Sequence, residues 1–114
     1  MSMVQQLRVS EFTQWRDAHA PRQPMVLDVR EPWEVQTASV RPDGFELRVI
    51  AMGDIPSALS QLPPDRPIAC LCHHGMRSLQ VARFLLQQGF SEVVNLQGGI
   101  DAWSSDLDPS VPRY

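Results

Sequence analysis

At 114 residues the chain is sized for one domain, which commonly takes about 150 residues, and it is long enough to bury roughly two-thirds of its unfolded surface without staples. With 43% hydrophobic and 20% charged residues it has the composition of an ordinary globular protein, neither disordered nor collagen-like. A formal charge of −3, scattered along the chain, offers no basic patch for nucleic acid, and no apolar run approaches the roughly 18 residues of a membrane span.

The opening stretch, MSMVQQLRVSEF, lacks the basic and apolar regions of a secretory leader, so the chain is expected to be cytoplasmic. Val4 to Val9 predicts a first strand, and Ser10 an N-cap for a helix with Phe12 and Trp15 on one face. Pro21 and Pro24 end that segment, and Met25 to Val29 is a β-branched run of buried-strand type. Arg30 to Glu34 opens a short helix with Pro32 in its first turn. Residues 37–46 are irregular, with a turn at Pro42-Asp43-Gly44. Leu47 to Ala51 is a third strand, and Asp54 is expected to cap a helix running to about Leu62.

After a proline-stiffened connector, Ile68 to Cys72 forms a fourth apolar run that stops at His73-His74-Gly75. Ser78 to Gln88 is amphipathic in the manner of a helix, with Gly89 as its stop. Val93 to Leu96 is a fifth strand, Gly98-Gly99 a turn, and Ile100 to Trp103 a short helix. The domain is expected to cover residues 4–108, followed by a proline-marked tail over 109–114. Short buried strands interleaved with helices predict an α/β fold, a five-stranded, mostly parallel sheet with helices on both faces. In such sheets function sits beyond the carboxyl ends of the strands, where Asp28-Val29-Arg30 and Cys72 fall.

All ten basic residues are arginines, which removes Schiff-base chemistry and the lysine of a phosphate-binding P-loop. The two cysteines, Cys70 and Cys72, are too close in sequence for a useful disulfide loop. Strand alternation puts them on one face, with Cys70 read as core or else as a resolving thiol. Cys72 ends a strand and is followed by Cys72-His73-His74-Gly75-Met76-Arg77-Ser78, a short loop leading into a helix. Backbone amides and the positive end of that helix favour a thiolate, and can bring a cysteine pKa from ~8.5 to between ~3.5 and ~7.5. Gly75 permits backbone geometry closed to other residues, and Arg77 adds a permanent cation with a planar fork for an oxyanion. The pattern is that of a cysteine nucleophile acting on an anion. Crowding of Cys70, Cys72, His73 and His74 into five residues is unlike zinc-site spacing, so no metal is expected, and no cofactor is called for.

The loop CHHGMRS resembles the active-site loop of the rhodanese family of sulfurtransferases, and DVREPWE at 28–34 and NLQGGIDAW at 95–103 resemble that family's other two motifs. The chain departs from the family over 37–48, TASVRPDGFELR, where many relatives carry a His-Ile-Pro-Gly-like turn. The resemblance implies a rhodanese-like three-layer sandwich and a Cys72 persulfide. The sulfur would come from a small anionic donor such as thiosulfate and pass to cyanide or a thiol, including that of an acceptor protein. It further implies that Asp28 and Arg30 support the catalytic loop through hydrogen bonds and an ion pair. His73 and His74 are read as projecting from the loop mouth, Gly98-Gly99 as a turn able to approach the loop, and Trp33 and Trp103 as packing residues. Two other readings stay open: a cysteine-dependent phosphatase or arsenate reductase, and a rhodanese-like module that binds a partner. Against the phosphatase stands loop length. Four residues separate Cys72 from Arg77, one fewer than in the tyrosine phosphatases that resemble this layout, and no acid is in view for the leaving group.

Overall fold

The computed structural model describes residues 3–114; Met1 and Ser2, part of the stretch read above for a leader, lie outside the described residues. Five strands form one sheet: β1 (Gln5–Arg8), β2 (Met25–Asp28), β3 (Glu46–Val49), β4 (Ile68–Leu71) and β5 (Val93–Gln97). Their order is β1-β5-β4-β2-β3 and every pairing is parallel, so the sheet is wholly parallel. Parallel neighbours need crossovers, and helices lie in these connections: α1 (Phe12–Ala18), α2 (Pro32–Thr37), α3 (Ile55–Ala58) and α4 (Met76–Gln87); α5 (Gly99–Asp106) follows the last strand.

Two apolar clusters lie on the two faces of the sheet. One gathers Phe12 and Trp15 of α1 and Ile100 and Trp103 of α5 against Val26, Ala69, Leu71 and Leu96. The other gathers Ile55 of α3 and Val81, Ala82 and Leu85 of α4 against Met25, Leu27, Ile68, Cys70 and Val93. The odd and even residues of β2 and β4 thus feed opposite layers, and both strands are buried throughout. This is the three-layer α/β sandwich the sequence predicts.

Several local expectations are corrected. β3 is an edge strand and only half-buried, because it has one neighbour. Ser10 caps nothing: Val9–Glu11 is a 3-10 turn, and the Glu11 carboxylate accepts the Arg8 amide instead. The helix expected from Asp54 to Leu62 breaks into α3 between two 3-10 turns, and the Asp54 side chain makes no cap bond. Trp33 is 63% exposed on the first turn of α2, whereas Trp103 is buried as expected. Residues of the 109–114 segment pack against the rest of the chain: Val111 is buried in the α1/α5 layer, Ser104 donates to its carbonyl at 2.6 Å, and Arg113 pairs with Asp101. Among the described residues no helix is long and apolar enough to cross a membrane.

Candidate active site

β4 carries Cys72 just past its last paired residue, and after three intervening residues the chain enters α4. The helix starts at Met76, two residues before the expected Ser78, because Gly75 adopts φ +100° and turns the chain directly into it. Met76, Arg77 and Ser78 are therefore the first helical turn, and their amides belong to the positive helix end.

Cys72 is 1% exposed, so the loop closes over its sulfur more tightly than a shallow mouth would. The Gly75 amide donates to Cys72 Sγ at 3.1 Å. Ser78 Oγ lies 3.2 Å from the same sulfur and 2.5 Å from Oδ1 of Asn95, a buried residue on β5. Asn95 Nδ2 in turn donates to the Gly75 carbonyl at 3.0 Å and to Gln6 Oε1 on β1 at 2.8 Å. Cys70 lies in the same cluster as Cys72, as alternation requires, and is fully buried. Burial, with the charge of Cys72 second, pushes its thiol far up and keeps it a neutral core group.

The floor of the loop is α5. Ile100 and Asp101 amides donate to the carbonyls of Cys72 and His73 at 2.9 and 3.2 Å. This approach needs the Gly98-Gly99 turn: a Cβ on Gly99 (φ +61°) would collide with those same carbonyls.

Arg77 does not hold its fork open. Its two terminal nitrogens donate to the two oxygens of Glu34 at 2.7 and 2.9 Å. Glu34 is buried on α2, and the Arg77 guanidinium, against the cost of burial, draws its carboxyl from 4.5 down to about 2. Asp28 and Arg30 form a fully buried ion pair, with contacts of 2.7 and 2.9 Å. The remaining donors of Arg30 go to the carbonyls of Glu34 and Ala38 and to the Tyr114 hydroxyl. The pair thus touches α2, Ala38 and Tyr114 rather than the cysteine loop, and meets Arg77 only through Glu34.

Tyr114 joins these groups. Its hydroxyl donates to Glu34 at 2.6 Å, and its ring stacks on His73 with centroids 3.9 Å apart. His73 donates from Nε2 to the Tyr114 carbonyl at 2.8 Å and stacks on His74 at 4.0 Å. His73 is therefore anchored and half-buried, while His74 is exposed. Among the described residues no group of three or more His, Cys, Asp or Glu is arranged to hold a metal.

Glu34, Asn95 and Tyr114 were missed as site residues in the sequence. Asn95 had a signal, a lone amide inside the apolar run Val93-Val94-Asn95-Leu96. Glu34 sits three residues after Glu31 in a capping-box pattern, which hid its tertiary role: one oxygen accepts the Glu31 amide while both hold Arg77.

The family model of the Rhodanese-like domain matches residues 9–106. The chain is 37% identical over 114 residues to the Arabidopsis thaliana protein named Rhodanese-like/PpiC domain-containing protein 12, chloroplastic, spanning 97% of this chain and 38% of that one. It is 39% identical over 80 residues to a protein of Allochromatium vinosum named Sulfurtransferase, spanning 70% of this chain and 71% of the relative. The crystal structure of a rhodanese-related protein from Thermoplasma volcanium superimposes with a TM-score of 0.75 at 26% identity, over 96% of this chain and 99% of that one. With the parallel sheet, the strand–loop–helix cysteine and these matches in agreement, the chain belongs to the rhodanese-like domain family.

Proposed function

We propose that the chain is a sulfurtransferase that carries a sulfane sulfur as a persulfide on Cys72. The observation that carries this reading is the seat of the Cys72 sulfur, at the end of a buried strand under the Gly75 amide and the first turn of α4. It is supported by the sulfurtransferase name of the Allochromatium relative. The thiolate attacks the outer sulfur of thiosulfate; the S–S bond of the donor breaks and its electron pair leaves with sulfite. The product, Cys72–S–S⁻, is itself an anion, and the loop amides suit it. Cyanide or a thiolate then attacks the outer sulfur, departs with it, and returns the Cys72 thiolate.

Charge pairing shapes the site's affinity for a dianion. Arg77 is matched by Glu34 and Arg30 by Asp28, so both cations are largely neutralised. Attraction then falls to the helix end, the loop amides and the N–H groups of Arg77 that Glu34 leaves free. The tight seat favours one sulfur atom over a phosphoryl group, whose oxygens need a wider ring of donors.

The test is the intact mass of the protein after incubation with thiosulfate. A gain of one sulfur atom is expected, removed by reductant or cyanide and absent in Cys72→Ser. No gain, together with Cys72-dependent hydrolysis of an aryl phosphate, would sink the reading in favour of the phosphatase.

A further inference from the structure

The contacts behind the Cys72 sulfur set a limit on its protons. Asn95 Nδ2 faces the Gly75 carbonyl at 3.0 Å. A backbone carbonyl only accepts, so the amide orientation of Asn95 is settled by its partner, and Oδ1 is the atom that faces Ser78. Oδ1 likewise only accepts. Two oxygens 2.5 Å apart require a proton between them, and the Ser78 hydroxyl holds the only one available. With that proton committed to Asn95, Ser78 turns a lone pair toward Cys72 Sγ at 3.2 Å. An S–H can donate into that lone pair; a thiolate meets it as a repulsion.

We propose that Asn95 is a positioning residue for the nucleophile: it competes with the Cys72 sulfur for the single hydroxyl proton of Ser78 and so withholds that proton from a Cys72 thiolate. When the S–H proton leaves to solvent, Ser78 can stabilise the thiolate only by swinging its own proton from Asn95 to sulfur. That swing leaves two facing acceptors, Ser78 Oγ and Asn95 Oδ1, to move apart. Asn95 cannot turn its amide to relieve them, because Gln6 and Gly75 hold its nitrogen. The thiolate is thus reached through a strained arrangement of Ser78, which favours charge spreading onto an outer sulfur farther from the hydroxyl. The inference rests on Cys72 being the reacting thiol, as proposed above.

The other titratable and charged groups near the loop are the same in every variant compared. These are His73 and His74 on its own loop, Arg77 of α4 with its partner Glu34 of α2, and Asp101 of α5 with its partner Arg113. Cys70→Ala leaves a protein with Cys72 as its single thiol. In that background the ultraviolet absorbance of the thiolate is followed against pH, with no sulfur donor present, for the parent, Asn95→Leu, Ser78→Ala and the double variant. Asn95→Leu is expected to move the Cys72 titration to lower pH by about one pH unit, the scale of one net hydrogen bond, because Ser78 then gives its proton to sulfur. In the Ser78→Ala background the same substitution should move nothing. If Asn95→Leu does not fold, Asn95→Val, apolar and suited to a strand, takes its place. A titration that stays or rises on removing Asn95, or an equal fall with and without Ser78, overturns the proposal. Since no donor is used, this failure is separate from failure of sulfur transfer, which the mass experiment reads.

Discussion

Glu34 and Arg77, 43 residues apart in sequence, meet as a two-pronged pair at 2.7 and 2.9 Å. The arginine of the cysteine loop is thereby tied to the strand–helix junction that follows β2. Removing the cation leaves a buried carboxylate with no charge partner. Arg77→Ala is expected to cost about 2 kcal/mol, below the usual figure for a fully buried pair since Arg77 is partly exposed. Arg77→Ala combined with Glu34→Leu should be more stable than Arg77→Ala alone, as read by urea unfolding. A double variant less stable than the single one would show that Glu34 is adequately solvated by Tyr114.

The same pair sets an acid limit. The Glu34 carboxyl lies at about 2 when folded and ordinarily at 4.5, held down first by Arg77. A depressed carboxyl adds stability above its unfolded value and loses it as pH falls toward the folded one. Stability from Glu34 is therefore complete above pH 4.5 and disappears on descent to about 2. Glu34→Gln should be less stable than the parent at neutral pH, and the gap should close across that window in chemical unfolding. A gap independent of pH would assign the loss to packing.

Tyr114 separates stacking from hydrogen bonding. Its hydroxyl serves Glu34 and Arg30, and its ring covers His73. Tyr114→Phe should cost about 1 kcal/mol, the scale of a lost hydrogen bond, and keep the ring-current shift of His73 in the proton spectrum. Tyr114→Ala should lose that shift as well. Loss of the shift in Tyr114→Phe would mean that the hydroxyl, rather than the stack, orients the ring.

Two glycines of left-handed backbone isolate contact from conformation. Gly89 (φ +94°) has open space around a would-be Cβ, while Gly99 (φ +61°) has the Cys72 and His73 carbonyls against it. Gly89→Ala should cost about 1–2 kcal/mol from backbone strain alone. Gly99→Ala should cost clearly more and slow persulfide formation, because the loop carbonyls must retreat. Equal costs in thermal unfolding would show that the loop yields freely.

The strands and the cysteine loop were legible because both are local. Apolar runs such as Met25–Asp28 and Ile68–Leu71 announce buried strands, and a strand broken at Cys72-His73-His74-Gly75 announces a sheet-edge loop. The Gly98-Gly99 turn does approach that loop. What escaped was the pairing of charges across the chain. Arg77 reads in sequence as a free fork, since nothing near it in the chain is acidic; its partner arrives from α2. Residues 109–114 read as a tail because proline and polar residues dominate them, yet Val111 finds the core and Tyr114 finds Glu34, Arg30 and His73. Ser10 shows the opposite failure, a strong local signal overridden when the Glu11 carboxylate took the amide of Arg8.

The docking of α5 beneath the cysteine loop has a consequence for how the protein matures. The Cys72 and His73 carbonyls are satisfied by amides of Ile100 and Asp101, which follow them by 28 residues in the chain. A polypeptide leaves the ribosome from its amino end, so Cys72 emerges well before the segment that shapes its loop, and non-local contacts close slowly. Until α5 is made and seated, Cys72 is a cysteine in an unformed loop, with neither its amide donor fixed nor its sulfur enclosed. The enclosed seat of the sulfur is thereby acquired late, as a property of the finished domain.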